Sequence, residues 1–258
     1  MTRHVAVTGA ASGIGRALAA QLTARGDTVI GVDLAGAEVC ADLSTPEGRR
    51  EAAAGIRERC GGVLDALVTC AGVAKPGRLM VSVNYFGTTE LVTALRPELA
   101  AAEQPRVGVV GSISGTQPND PRTVAACLAG DEAAALARAD EVVALDEAQK
   151  LYPSTKAALA QWVRRTCVAP GWADAGIALN AVAPGVVLTP MSAALVDDER
   201  MLEVIRQAVP MPLNGHAAPE AVAHVLGWLI APENTHMTGQ VVYVDGGAEV
   251  TLRGPEDF

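Results

Sequence analysis

The sequence predicts one doubly wound α/β domain, a parallel sheet with helices on both faces. Three observations carry that prediction. Short apolar strand patterns alternate with helical ones along most of the chain, and a glycine-rich turn separates the first strand from the first helix. A chain of 258 residues can also bury one large core without a second domain, so residues 1–258 are taken as a single unit.

The first unit is strand, turn, helix, strand. His4-Val5-Ala6-Val7 leads into the Gly9 to Gly15 turn; Ile14, Leu18 and Leu22 recur at helical spacing, and Thr28 to Val32 gives the second strand. Pro46 opens a helix capped by Thr45, with Ala52, Ile56 and Cys60 along one face. A strand from Leu64 to Thr69 precedes a helix over 83–99 and a strand from Arg106 to Val110. The last elements are a helix from Ser154 to Ala169, a strand from Ile177 to Val182, a helix from Pro219 to Ile230 and a strand from Gln240 to Val244. Strands joined through helices require right-handed crossovers that cover both faces of a parallel sheet.

One stretch breaks this alternation. Residues 116–150 start with Pro118, Asn119, Asp120 and Pro121 and become rich in Ala, Leu and Glu, with Asp131 placed to cap a helix. A structureless loop of that length is uncommon in a compact domain. The segment is therefore either an inserted helix packed on the domain or a moving lid, and packing is the expectation.

Composition excludes several classes of function. Half of the residues are apolar, yet no run approaches the roughly 18 uninterrupted apolar residues of a membrane span, and the chain starts without a signal-peptide pattern. A soluble, cytoplasmic protein is expected, with no membrane partner. The formal charge of −9 argues against the cationic surface that nucleic acid demands. Cys40, Cys60, Cys70, Cys127 and Cys167 are scattered, odd in number and without a C-x-x-C pair, which fits packing thiols in a reducing compartment. His4, His216, His224 and His236 lack ligand spacing, so no metal is expected.

Three features carry chemistry. Thr8-Gly9-Ala10-Ala11-Ser12-Gly13-Ile14-Gly15 sits between a strand and a helix, where glycines let the backbone approach a pyrophosphate and the helix amino terminus faces its charge. Asp33 closes the second strand, where a carboxylate can accept hydrogen bonds from both hydroxyls of an adenine ribose; a 2′-phosphate there would be repelled, and neither Ser12 nor Leu34 supplies a compensating cation. The choice is NAD, with Arg16 the one nearby residue that keeps NADP open. Tyr152 and Lys156 share one face if their segment is helical. A phenol of pKa about 10 is a poor base at neutral pH, but the Lys156 cation and an oxidised nicotinamide would favour its phenolate.

With T-G-x-x-x-G-I-G at Thr8 to Gly15, Y-x-x-x-K at Tyr152 to Lys156, and Pro184-Gly185 after a later strand, the chain resembles the short-chain dehydrogenase/reductase family over essentially its whole length. The resemblance implies a Rossmann-type sheet and further site residues. Ser112 would polarise the substrate oxygen, Asn84 would hold a proton-relay water, and Lys156 would hold the nicotinamide ribose. Asp42 and Leu43 would border the adenine; Ala71 and Gly72 would follow Cys70 in a turn where family members usually have N-A-G. Pro184, Gly185, Val187 and Thr189 would complete the cofactor site. Cys70 departs from the pattern, but a turn that presents mainly backbone should still support binding.

Residues 41–49 and 82–87, together with the insertion before Tyr152, look like the bacterial 3α-hydroxysteroid dehydrogenase/carbonyl reductase branch. That implies a small alcohol or ketone as partner and a homo-oligomer, dimer or tetramer, whose usual helix-on-helix face the insertion would alter. The family's substrate lid would fall at 189–212, where Met191, Leu195, Val196, Met201, Leu202, Ile205, Val209 and Met211 suit either an apolar substrate or ordinary packing. The competing classes are a reductase of unrelated small carbonyls, a non-catalytic NAD-binding regulator on the same fold and a scaffold that assembles through the inserted helix. Tight NAD binding without turnover would identify the regulator, and absence of saturable nucleotide binding the scaffold.

Overall fold

The computed structural model describes residues 2–193 and 198–257. Seven parallel strands form one sheet in the order β3-β2-β1-β4-β5-β6-β7. They are β1 (His4–Thr8), β2 (Thr28–Asp33), β3 (Val39–Cys40), β4 (Ala66–Thr69), β5 (Arg106–Val110), β6 (Ala178–Pro184) and β7 (Val241–Val244). The order reverses between β1 and β4, which opens a crevice at the carboxyl ends of the strands.

Alternation along the strands sends each side chain to one of two cores. Val5, Val7, Ala66 and Val68 pack with Leu18 and Leu22 of α1 (Gly13–Ala24) and with Val222 and Leu226 of a later helix, Pro219–Leu229. Ala6, Leu67, Val107 and Val109 face the other way, onto α2 (Pro46–Cys60), α4 (Gly87–Ala94) and α8 (Leu151–Thr166). Fully burying one such Leu or Val contributes about 1.5–3 kcal/mol, so each layer is held by many small terms. Arg3 and the buried Arg106 donate to the carbonyls of Ile230 and Pro232, satisfying acceptors beyond the end of the 219–229 helix.

Element boundaries differ from the sequence reading where the helical period is broken. The helix expected over 83–99 starts earlier, as α3 (Arg78–Val81), widens into a π turn at Ser82–Phe86, continues as α4 and restarts as α5 (Arg96–Ala100). Pro97 lies in the first turn of α5 and Leu95 has left helical geometry, with φ −95° and ψ 3°. β3 and a final helix, Ala248–Arg253, have no counterpart in the prediction. Cys40 is exposed, so the packing role expected of it does not hold: it lies in β3, an edge strand, facing away from the core. Among the described residues no helix is long and apolar enough to cross a membrane, and no cluster of three or more metal-ligating side chains occurs.

The 116–150 segment forms two helices, α6 (Pro121–Leu128) and α7 (Glu132–Ala144), instead of one. Gly130, with φ +71°, ends the first, and the Asp131 carboxylate accepts the Ala134 amide at 2.9 Å to start the second. Val124 and Cys127 of α6 and Ala135, Ala139 and Val142 of α7 are buried in the core that contains α8. The segment is thus packed, not free-standing.

Candidate active site

The carboxyl ends of the strands from β2 to β6 border one cleft of about 740 Å³. Each residue expected to act in catalysis or to hold the cofactor lines it. Gly9, Ser12, Gly13, Ile14 and Gly15 come from the first turn, Asp33 from β2, and Asp42 and Leu43 from the loop after β3. Cys70, Ala71 and Gly72 follow β4, Asn84 lies in the π turn, Ser112 follows β5, Tyr152 and Lys156 lie on α8, and Pro184, Gly185, Val187 and Thr189 close the opposite wall.

The first turn has the shape of a phosphate cradle. A Cβ on Gly15 would stand 2.2 Å from the Gly9 carbonyl oxygen, so only glycine lets α1 start this close to β1. Gly9 has φ +67°, and a Cβ there would meet the Ala71 amide nitrogen at 2.9 Å. Ser12 is the N-cap of α1, yet its side chain makes no capping bond, and no acidic residue occupies the first turn. The hydroxyl and the first amides of the helix are therefore available to an anion. The Ala71 amide donates to Thr8 Oγ1 at 3.1 Å, which ties the Cys70 turn to the same strand end.

Asp33 is held in place by two backbone donors, the amides of Ala11 at 3.0 Å and Leu34 at 2.8 Å. Arg16 is exposed and outside the cleft lining. Among the described lining residues Lys156 is the single cation. It reaches the end of β5, three strand positions from β2 and so about 14 Å away across the sheet. Among the described lining residues no cation stands beside Asp33.

At the β5 end, α8 presents Tyr152 and Lys156 on one face. Lys156 Nζ lies 5.6 Å from the centre of the Tyr152 ring and donates to the Val110 carbonyl at 3.0 Å. Burial pulls the Lys156 ammonium down to about 8, with the Cys70 sulfur opposing. Burial pushes the Tyr152 phenol up, and the Ser112 hydroxyl beside it works the other way. In the protein alone, burial outweighs the neighbouring groups that favour the phenolate; the help expected from the sequence is that of Lys156 and an oxidised nicotinamide together. Burial also raises the Cys70 thiol to about 12, so at neutral pH it is a neutral packing group and not a nucleophile.

Asn84 is oriented by the π turn, a widened helical turn often found at functional sites. Its Oδ1 accepts from the Val73 amide at 2.8 Å and its Nδ2 donates to the Val73 carbonyl at 3.0 Å. One lone pair and one N–H of the carboxamide remain for a water. The turn also leaves Asn84 fixing the chain that follows Cys70, a role the sequence pattern did not suggest.

Other lining residues were not foreseen. Leu79, Val73 and Val83 add apolar lining, and Ser114 and Gln117 are polar groups on the wall. Gln117 Nε2 donates to the Ala208 carbonyl at 3.1 Å, joining the start of the insertion to α9 (Glu199–Ala208). Of the methionines and aliphatics expected in a lid, Met191, Ile205 and Val209 line the cleft; Leu195 and Val196 lie outside the described residues.

The chain resembles known proteins in sequence and in fold. Residues 9–249 match a family model described as enoyl-(acyl carrier protein) reductase. The chain is 37% identical over 260 residues to a 3-alpha-hydroxysteroid dehydrogenase/carbonyl reductase of Comamonas testosteroni, covering 98% of this chain and 99% of the relative. A crystal structure of the 3-alpha-hydroxysteroid dehydrogenase from Pseudomonas sp. B-0831, complexed with NADH, superposes with a TM-score of 0.90 at 43% identity, covering 97% of this chain and 98% of that one. An aldohexose dehydrogenase of Thermoplasma acidophilum shares the fold, with a TM-score of 0.74 at 22% identity over 98% of this chain and 96% of its own.

Proposed function

The chain belongs to the short-chain dehydrogenase/reductase family, and we propose that it is an NAD-dependent enzyme interconverting a secondary alcohol and a ketone on an apolar, ring-sized substrate such as a 3α-hydroxysteroid. The observation that carries this reading is the convergence of Ser112, Tyr152 and Lys156 on the cleft that also holds the glycine cradle and Asp33. The residues fit a dinucleotide. Ser12 and the first amides of α1 would hold its pyrophosphate, Asp33 its adenine ribose hydroxyls, and Lys156 its nicotinamide ribose. The absence of any lining cation near Asp33 among the described residues favours NAD over NADP. When bound, the nicotinamide supplies the hydride acceptor or donor.

The chain's own residues handle the proton. Ser112 Oγ donates to the substrate oxygen and fixes it beside Tyr152. In oxidation the Tyr152 oxygen takes the hydroxyl proton as the carbonyl forms; in reduction it returns that proton. Ser112 opposes the burial penalty on the phenolate, Lys156, four residues away on the same face of α8, would hold the nicotinamide ribose, and Asn84 orders a water through its remaining donor and acceptor. The apolar wall of Leu79, Ile205 and Val209 excludes bulk water and suits fused rings.

Replacing Tyr152 with Phe keeps the ring and removes the transferable proton. Tyr152→Phe is expected to bind NADH as the parent does and to lose about 10²–10⁴-fold in turnover. Near-normal turnover would sink the mechanism. The substrate class is tested by absorbance of reduced nicotinamide across 3α-hydroxysteroids, aromatic ketones and polyols. Activity confined to polyols would discard the apolar substrate and leave the proton chemistry standing.

A further inference from the structure

Forty residues separate Ser112 from Tyr152, and the two must meet one substrate atom. Sequence continuity through the insertion does little to fix their separation, because a longer connection costs little extra entropy and restrains its ends weakly. Something else has to set where the first turn of α8 lies.

A continuous polar path runs from the insertion into that turn. Arg138 on α7 donates through Nε at 3.0 Å and Nη2 at 2.7 Å to the two oxygens of the Asp120 carboxylate. Asp120 Oδ2 also accepts from the Thr123 amide and the Thr123 hydroxyl, both at 2.7 Å, so the carboxylate takes four hydrogen bonds. The backbone amide of the same Asp120 donates to Ser154 Oγ at 2.9 Å, and that hydroxyl donates to the Lys150 carbonyl at 2.6 Å. Ser154 and Thr123 are wholly buried. Ser154 lies between Tyr152 and Lys156, and Lys150 lies just before Tyr152, so the path grips the helix on both sides of the phenol.

We propose that Arg138 and Asp120 are positioning residues, a clamp that acts through Ser154 to set Tyr152 against Ser112. This rests on the assignment of Tyr152 as the proton-transferring group. The clamp touches neither cofactor nor substrate. Arg138 also draws the Asp120 carboxyl well below the usual range, so the carboxylate stays charged at any working pH.

The test compares Arg138→Met, which keeps the stem and removes the guanidinium, with the parent enzyme. Alcohol-oxidation kcat and the rate of a single hydride transfer are expected to fall about tenfold to hundredfold, as displacement of a reacting group from afar does. KM for the alcohol and Kd for NADH should stay within about twofold, since the clamp leaves both binding surfaces intact. Ser154→Ala breaks the path one step later while keeping the Arg138–Asp120 pair, and should reproduce the kcat loss even if Arg138→Met folds poorly. A lower melting temperature with kcat unchanged in both variants would reduce the clamp to a structural tie and overturn the proposal. A matching collapse of NADH affinity would overturn it too. Tyr152→Phe assayed beside them separates the two ideas: if it retains turnover, the proton-transfer reading has failed; if it is inactive while Arg138→Met and Ser154→Ala are not impaired, only the clamp has.

Discussion

Glu132→Gln tests how firmly the insertion is attached to the cofactor domain. Arg49, on α2, is 3% exposed and gives Glu132 two short bonds, 2.7 Å through Nη1 and 2.6 Å through Nη2. The same guanidinium donates to Glu90 at 3.0 Å and to the carbonyls of Leu43 at 2.9 Å and Ser44 at 3.3 Å, and lies 5.8 Å from the centre of the Phe86 ring. Removing a whole partner from a buried ion pair costs about 3–5 kcal/mol. Gln keeps one acceptor oxygen, and the 47% exposed Glu90 remains, so the loss reduces to about one charge-assisted bond, roughly 2 kcal/mol.

At about 2–4 °C per kcal/mol for a domain of this size, the melting temperature should fall by about 4–8 °C. Calorimetry measures that directly, and limited proteolysis should show earlier cutting between 128 and 147. Glu141→Gln is the control. Glu141 pairs with Arg138 and Arg122 at 52% exposure, where exposed pairs contribute no more than about 1 kcal/mol. A Glu132→Gln protein that melts and digests like the parent would show that the Arg49 ion pair does not hold the insertion down.

Two further outcomes follow from the site. Asp33→Ala removes the carboxylate that the Ala11 and Leu34 amides hold, so kcat/KM with NAD should drop about tenfold or more while that with NADP rises; an unchanged ratio between the two cofactors would count against Asp33 as the selector. Lys156 has its pKa lowered to about 8 in the fold, chiefly by burial, so between about 8 and its unfolded value near 10.4 the unfolded chain binds more protons. Stability relative to Lys156→Met should therefore rise with pH across that window, in urea melts at matched pH; a flat or falling difference would show that the ammonium is not desolvated.

Much of the architecture was legible because its signals are local. Gly9 and Gly15 mark the only way to bring α1 onto β1, and the Thr45 side chain caps α2 through the Gly48 amide as its position before Pro46 predicts. The misses have several physical causes. A π turn adds a residue to one helical turn, so the apolar pattern through Ser82–Phe86 still resembles a helix while its phase has shifted. Pro97, between the charged Arg96 and Glu98, restarts the helix within a pattern whose apolar spacing still reads as continuous. β3 is two residues long, shorter than any alternation can reveal, and exists because Val39 and Cys40 pair with Val32 and Asp33. The direction of the Tyr152 shift depends on burial, a property that arises only when α8, β5 and the insertion are assembled.

Assembly also explains why the insertion needs ion pairs. The fully buried residues of α7 are Ala135, Ala139 and Val142, small side chains that bury little area, with Leu136 partly buried against the same core. An apolar face of this kind supplies adhesion with little register. Arg49–Glu132 at the start of α7 and Arg138–Asp120 in its middle are directional and carry a desolvation cost that only one alignment repays. A shift by one turn, about 5.4 Å, would leave Arg49, nearly inaccessible to solvent, with the half-exposed Glu90 as its remaining carboxylate partner and would pull Arg138 off the cap of α6. The buried Arg49 and the half-buried Arg138 thereby specify the placement that alanines cannot, and Arg138 delivers that placement to the turn carrying Tyr152.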